Sequence, residues 1–254
     1  MKKPKILLKN DDGIHAEGLI TLYEALKEIG DITIVAPENE QSAIGHAITL
    51  YSPLRVKEVI IKNNTKAYAV NGTPADCVKI GVKAIMGEKP DLVVSGINRG
   101  SNLGMNIIYS GTVSVATEGV IMGIPSIAIS LNSYQEPYYY DVGAEFALKV
   151  IPKILENGLP DGTLLNINIP NIPKEKIKGV RITKQGKSRF DEIFRKRTDP
   201  RNDVYYWLDG IHLKTENDDL ADDIAIEENY ISVTPINYDL TDKDFMEELS
   251  KWGL

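Results

Sequence analysis

A strand, a helix and a second strand follow one another inside the first 36 residues, and a βαβ unit of that length folds only with its strands parallel. Lys5 to Leu8 is a short apolar run that ends in the turn-rich Asn10-Asp11-Asp12-Gly13. Leu19, Leu22, Tyr23 and Leu26 then recur at helical spacing until Gly30 stops them, and Ile32 to Ala36, before Pro37, is the second strand. The rhythm pauses over residues 38–70, where a loop around Ser42 and Gly45 gives way to two alternating stretches, Leu54 to Ile61 and Ala67 to Val70, parted by Asn63-Asn64-Thr65. An antiparallel excursion is expected there.

Thr73-Pro74-Ala75-Asp76 restarts the α/β pattern: Thr73 can cap a helix, Pro74 suits its first turn and Asp76 occupies the third position of a capping box. That helix is predicted to run to about Met86, followed by a strand over Asp91 to Ile97, a Gly/Asn loop from Asn98 to Tyr109 and a helix over Gly111 to Met122. A strand from Ile124 to Ser130, a helix from Tyr139 to Glu156 that Pro152 should bend or end, and an alternating strand from Leu164 to Ile169 complete the set. The expected fold class is α/β, a doubly wound and mostly parallel sheet. Residues 1–184 read as the catalytic core. Residues 185–254 read as a C-terminal arm or hairpin, with a charged stretch from Lys184 to Asp203, an aromatic strand from Val204 to Leu208 and a last helix from Thr241. This arm should find its apolar partner on the core or on a second subunit.

Hydrophobic residues make up 43% of the 254, enough for one large core. Lysine and arginine total 29 against 36 aspartates and glutamates, a formal charge of −7, so neither a nucleic-acid backbone nor an anionic membrane is an expected partner. The single Cys77 excludes an intramolecular disulfide framework and Cys-rich metal sites and fits a reducing, cytoplasmic setting. The opening residues do not read as a signal peptide, because the apolar run after Lys5 meets Asp11-Asp12. No stretch approaches the roughly 20 apolar residues of a membrane span.

In an open parallel sheet, ligands bind beyond the carboxyl ends of the strands, so the loops that follow strands carry the chemistry. Three are loaded. In Asn10-Asp11-Asp12-Gly13 two adjacent carboxylates repel unless a cation joins them, although a solvated Asx turn has the same composition. Asn39 to His46 offers the Ser42 hydroxyl and the His46 imidazole, the latter more in keeping with a structural hydrogen bond than with a ligand. His15, His46 and His212 form no ligand pair, so oxygen donors point to magnesium or manganese rather than zinc. Ser95 to Gly104 gathers amides, hydroxyls and glycines, then leads through Tyr109-Ser110-Gly111-Thr112 into a helix whose entrance suits a phosphoryl group; Ser110 or Thr112 could equally serve only as its cap. The glycine spacing fits neither a dinucleotide fingerprint nor a P-loop.

KILLKNDDGIHAEGL, EQSAIGHAIT, NGTPADCV and VVSGINRGSNLGMNIIYSGTVSVATEG, four separated motifs in order over roughly residues 5–130, resemble the SurE (survival protein E) nucleotidase family. The resemblance implies a Rossmann-like fold and a phosphatase that hydrolyses nucleoside 5′-monophosphates, with 3′-monophosphates and short polyphosphate as further substrates. It also implies one divalent ion, Mg2+ or Mn2+, per subunit, and a homodimer or homotetramer with exchanged C-terminal segments. Carried over position by position, the metal ligands fall on Asp11, Asp12, Ser42 and Asn98, and the phosphate-binding residues on Asn102, Ser110, Gly111 and Thr112. Asp11, Asp12, Asn102 and Ser110 are the expected catalytic residues, with the role of each aspartate left open. Lys9 stands where many relatives carry serine, and Gln41 where arginine is frequent. Two other readings remain beside it. A haloacid-dehalogenase-type phosphatase would need aspartates two positions apart, and Asn10-Asp11-Asp12-Gly13 offers none; a non-catalytic nucleotide or phosphate sensor could use the same loops. For a nucleobase, Tyr138 to Tyr140, Tyr206 and Trp207 are stacking candidates, with core packing an equal alternative for the tyrosine run.

Overall fold

A computed structural model of the chain describes residues 3–253. The first unit forms as expected: β1 (Lys5–Lys9), α1 (Glu17–Leu26) and β2 (Asp31–Pro37) close a parallel pair. The antiparallel excursion is β3 (Val56–Ile61) and β4 (Thr65–Val70), and β4 also pairs in parallel with β2. The helix predicted to reach Met86 is α2 (Pro74–Ile80) continued by one π-helical stretch, Gly81–Met86. Its start is the capping box read from the sequence, in which Thr73 Oγ accepts from the Asp76 N–H at 3.1 Å and Asp76 accepts from the Thr73 N–H at 3.0 Å.

The remaining core elements are β5 (Leu92–Arg99), α3 (Gly111–Ile121), β6 (Ser126–Asn132), α4 (Tyr140–Asn157) and β7 (Thr163–Pro170). Pro152 does not end α4. It lies on the solvent side, where water can serve the carbonyl that its missing N–H leaves unbonded, so the helix continues to Asn157.

After β8 (Gly179–Ile182), β9 (Arg189–Thr198) and β10 (Val204–Leu213) form an antiparallel hairpin outside the main sheet. The chain then returns through α5 (Asp222–Glu227) to β11 (Tyr230–Asn237), which pairs antiparallel with β7 and parallel with β8. This last strand is a structural finding that the sequence reading lacked: residues 185–254 divide into a projecting hairpin and a segment built into the sheet. The final helix, α6 (Lys243–Leu249), is capped by Asp242.

The nine strands lie in the order β3-β4-β2-β1-β5-β6-β7-β11-β8. Successive connections move outward from β1 in opposite directions, so the switch point lies between β1 and β5. On one face α1 and α4 cover Ile6, Leu8, Val94 and Ile129; on the other, α2 and α3 cover Leu7, Val35 and Val93. Side chains alternate along a strand, so Lys9 shares the α2 face with Leu7. It is fully buried, its Nζ has no hydrogen-bond partner among the described residues, and desolvation pulls its pKa down to about 7 despite the charges of Cys77 and Asp76 nearby.

A lysine with a depressed folded-state pKa costs the native state most when it must be charged. Between about pH 7 and pH 10.5 the unfolded chain holds the proton and the native state does not, so stability rises with pH across that window. Lys9→Met should therefore stabilise the protein at pH 6 by about 1–4 kcal/mol in urea unfolding, and its advantage should shrink as the pH climbs through the window. An equal gain at pH 6 and pH 10 would contradict this account.

Candidate active site

The switch point brings the three loaded loops together. The loop after β1 carries Asp11 and Asp12, the loop after β2 carries Ser42, and β5 ends in Asn98 and Arg99. The register between β5 and β6 shifts between Ser95 and Asn98, an irregularity of the kind that re-aims side chains at active sites. Asp11, Ser42, Asn98, Asn102, Ser110 and Gly111 line one cavity of about 750 Å³.

Asp11 is the centre of this arrangement. Only 6% exposed, it accepts a hydrogen bond from the Thr112 hydroxyl, and the Thr112 backbone N–H also faces its carboxyl. Burial pushes its pKa up to about 7 and the neighbouring Asp12 adds to the rise, while the Thr112 contacts oppose it. Gly111 permits this fit: a Cβ there would stand 2.7 Å from Asp11 Oδ2 and 2.8 Å from Asp11 Cβ, so only glycine lets the start of α3 come so close to the carboxylate. Asp12 turns away. It accepts from the Arg99 N–H at 2.9 Å, its pKa is raised chiefly by burial, and it lines a neighbouring cleft with Glu40, Tyr138 and Tyr140.

Asn98 donates through Nδ2 to the Gly100 carbonyl at 2.7 Å, which commits its nitrogen and leaves Oδ1 as the lone-pair donor it has to offer. Ser42 is exposed and donates to Glu40 at 2.7 Å. Its loop is pinned three ways: the Gln41 N–H donates to the Asp11 carbonyl, the Gly45 N–H to the Tyr109 carbonyl, and His46 pairs with Glu118 of α3 at 2.9 Å. Lys79 reaches the other oxygen of Glu118 at 2.5 Å, and together these contacts hold the Glu118 carboxyl below the usual range although burial opposes them. His46 thus has the structural hydrogen bond expected of it.

At the phosphate-type end, Ser110 caps α3 by accepting from the Val113 N–H at 3.0 Å, yet it still lines the cavity. Thr112 is fully buried behind Asp11 and is absent from the cavity wall. Asn102 is fixed on every side: its N–H donates to Asn168 Oδ1 at 2.8 Å, its Nδ2 to Ser130 at 2.7 Å, and its carbonyl accepts from Asn166 and Asn168.

The chemistry of the donor set fits a hard cation. Among the described residues no group of three or more His, Cys, Asp or Glu converges, so an ion here would draw on two adjacent carboxylates, both desolvated by burial, plus the neutral oxygens of Asn98 and Ser42. Such oxygens suit magnesium or manganese rather than zinc.

The outer wall comes from residues the sequence reading did not single out: Met105, Tyr109, Tyr134, and from the hairpin Arg189, Phe190, Glu192 and Leu208. The sequence signal for the hairpin residues is the alternation of charge and aromatic residues after Lys184, which does not reveal where the hairpin folds. Of the stacking candidates, Tyr138 and Tyr140 stack on each other with centroids 5.4 Å apart beside Asp12, and Tyr206 and Trp207 are exposed on the hairpin outside the lining of this cavity.

The family model described as "Survival protein SurE" matches residues 6–192. The chain is 50% identical over 250 residues to a protein named 5′-nucleotidase SurE from Syntrophobacter fumaroxidans, covering 98% of this chain and all of the relative. It is 49% identical over 258 residues to the protein of the same name from Caldanaerobacter subterraneus subsp. tengcongensis, covering all of this chain and 99% of the relative. The crystal structure of the SurE protein from Aquifex aeolicus superposes with a TM-score of 0.85 at 40% identity, covering 99% of this chain and all of that one. With family model, full-length alignment and superposition in agreement, the chain belongs to the SurE family.

Proposed function

We propose that the protein is a divalent-metal-dependent phosphomonoesterase that hydrolyses nucleoside 5′-monophosphates, and 3′-monophosphates as well, to nucleoside and phosphate. The observation that carries this reading is the buried Asp11, gripped by Thr112 at the entrance of α3, on the wall of a cavity that also exposes Asn98, Asn102, Ser110 and Gly111. The relatives named 5′-nucleotidase support the substrate class.

Asp11, Asp12, Ser42 and Asn98 would hold one Mg2+ or Mn2+ per subunit. Bound there, the ion supplies Lewis-acid stabilisation of the charge that builds on the phosphate during displacement. Ser110, Asn102 and the Gly111 N–H hold the phosphate oxygens at the helix entrance, where the dipole favours negative charge. Thr112, behind Asp11, fixes the carboxylate rather than touching substrate. The base then lies outward, against Tyr109, Tyr134, Phe190 and Leu208.

Asp11→Asn should lower kcat for AMP by roughly a hundredfold or more, the range found when a single pre-organised active-site group is lost. The melting temperature should hold or rise, because a neutral amide is cheaper to bury than a charge. Retained turnover would refute the assignment.

Chelation should abolish phosphate release from AMP and GMP, and Mn2+ or Mg2+ should restore it. Tight nucleotide binding with no turnover under any metal would instead make the protein a sensor.

The hairpin supports a further part of the proposal, a homodimer or homotetramer that exchanges C-terminal segments. Phe194 and Trp207 are each 64% exposed on a hairpin that pairs with no strand of the main sheet. Light scattering should give a mass of at least two chains of 28.2 kDa, and lysine substitutions at both aromatics should lower it; a monomeric wild type would overturn this part.

A further inference from the structure

The cleft has two ends supplied by segments far apart in the chain. Asn102, Met105, Tyr109 and Ser110 belong to the loop between β5 and α3, whereas Arg189, Phe190 and Leu208 belong to the hairpin. Nothing in the sheet's hydrogen bonding ties these two segments to each other. One side chain bonds to both. Asp222, at the start of α5 and fully buried, accepts from the Gly104 N–H through both oxygens, at 3.2 and 3.1 Å, and from the Gly186 N–H at 2.9 Å. It also accepts from the Asp223 N–H at 2.9 Å.

Neighbouring contacts repeat the link. The Met105 N–H donates to the Ser188 carbonyl at 2.9 Å, and Gln185 Nε2 donates to the Gly104 carbonyl at 2.9 Å. Two residues past β10, Thr215 accepts from the N–H groups of Lys187 and Ser188, and its own N–H donates to Asp223. Gly104 has a left-handed φ of +53°, and a Cβ on it would stand 2.2 Å from Ser188 Oγ, so the two segments are in contact with no room between them. Both the entry and the exit of the hairpin are thus referred to the same pair of aspartates as the phosphate-end loop.

We propose that Asp222 is a positioning residue that sets the distance between the phosphate end and the hairpin wall, and thereby makes the enzyme select nucleotides over phosphomonoesters that have no base. This rests on the phosphomonoesterase reading above and adds a specificity device to it. Asp222 itself does not line the cavity and touches no substrate. Its effect reaches only a substrate long enough to contact both ends.

The test compares AMP with glycerol 2-phosphate, which fills the phosphate end alone, in the metal-loaded wild type, in Asp222→Asn and in Gln185→Ala. Asn keeps the shape of Asp222 but brings an N–H2 against N–H donors. Asp222→Asn should lower kcat/KM for AMP about tenfold or more, mainly through KM, the size of one lost charge-assisted hydrogen bond, and change glycerol 2-phosphate by less than about threefold. Gln185→Ala, at the exposed edge of the clamp, should shift the ratio the same way by less, and it serves if Asp222→Asn does not fold. In hydrogen exchange, the amides of residues 103–106 and 186–188 should lose protection together in Asp222→Asn. Equal loss on both substrates, or deprotection on one side only, would overturn the proposal. A wild type inactive on both substrates would strike the phosphatase reading instead, and the exchange experiment would still decide whether the clamp exists.

Discussion

A carboxylate almost without water, placed where two halves of a parallel sheet diverge, governs how this protein is put together. Asp11 leaves β1 at the switch point and is closed in by the first turn of α3, with Thr112 bonded to it and Gly111 too close for any side chain. Its carboxyl therefore resists ionisation until neutrality is approached. That resistance is what a cation in this position would relieve, which ties the local cost of the arrangement to its chemistry. The loop carrying Ser42 is referred to the same point through the Asp11 carbonyl and, by His46 and Glu118, to the far side of α3.

Around this centre the interior is unusually polar for a doubly wound fold. Asn102, Ser130, Asn166 and Asn168 form a buried, mutually hydrogen-bonded group beneath the cavity floor. Apart from Asn166 Oδ1, which has no partner, its members hold one another in place, because each broken bond would leave a further unpaired group away from water. Lys9, two residues before Asp11, is the largest buried side chain whose polar atom has no partner among the described residues. It is cut off from water because β1 is flanked by strands on both sides and packed on both faces.

The parts of this structure written in local sequence were legible. The βαβ opening, the Thr73–Asp76 capping box and the Ser110-Gly111-Thr112 helix start follow from spacing and capping chemistry, and the structure has all of them. What sequence could not show is direction and distance. Asp11 and Asp12 are adjacent in the chain yet line different clefts, and Thr112 serves the carboxylate rather than the cavity. Pro152 does not end its helix, because solvent can serve the carbonyl it frees. Strand β11 escaped notice because Tyr230 to Asn237 contains a proline and follows an acidic stretch, and its place beside β7 is decided by partners more than sixty residues away.

The division of labour along the cavity has a bearing on how such an enzyme could diversify. The floor is woven into the sheet, where almost any change disturbs several bonds at once, while part of the outer wall hangs from a solvent-exposed hairpin fixed at its root. Mutations along that ribbon can accumulate without unsettling the reacting centre. Lineages sharing one hydrolytic apparatus are thereby free to explore different molecular clients by rewriting a single protruding loop of chain.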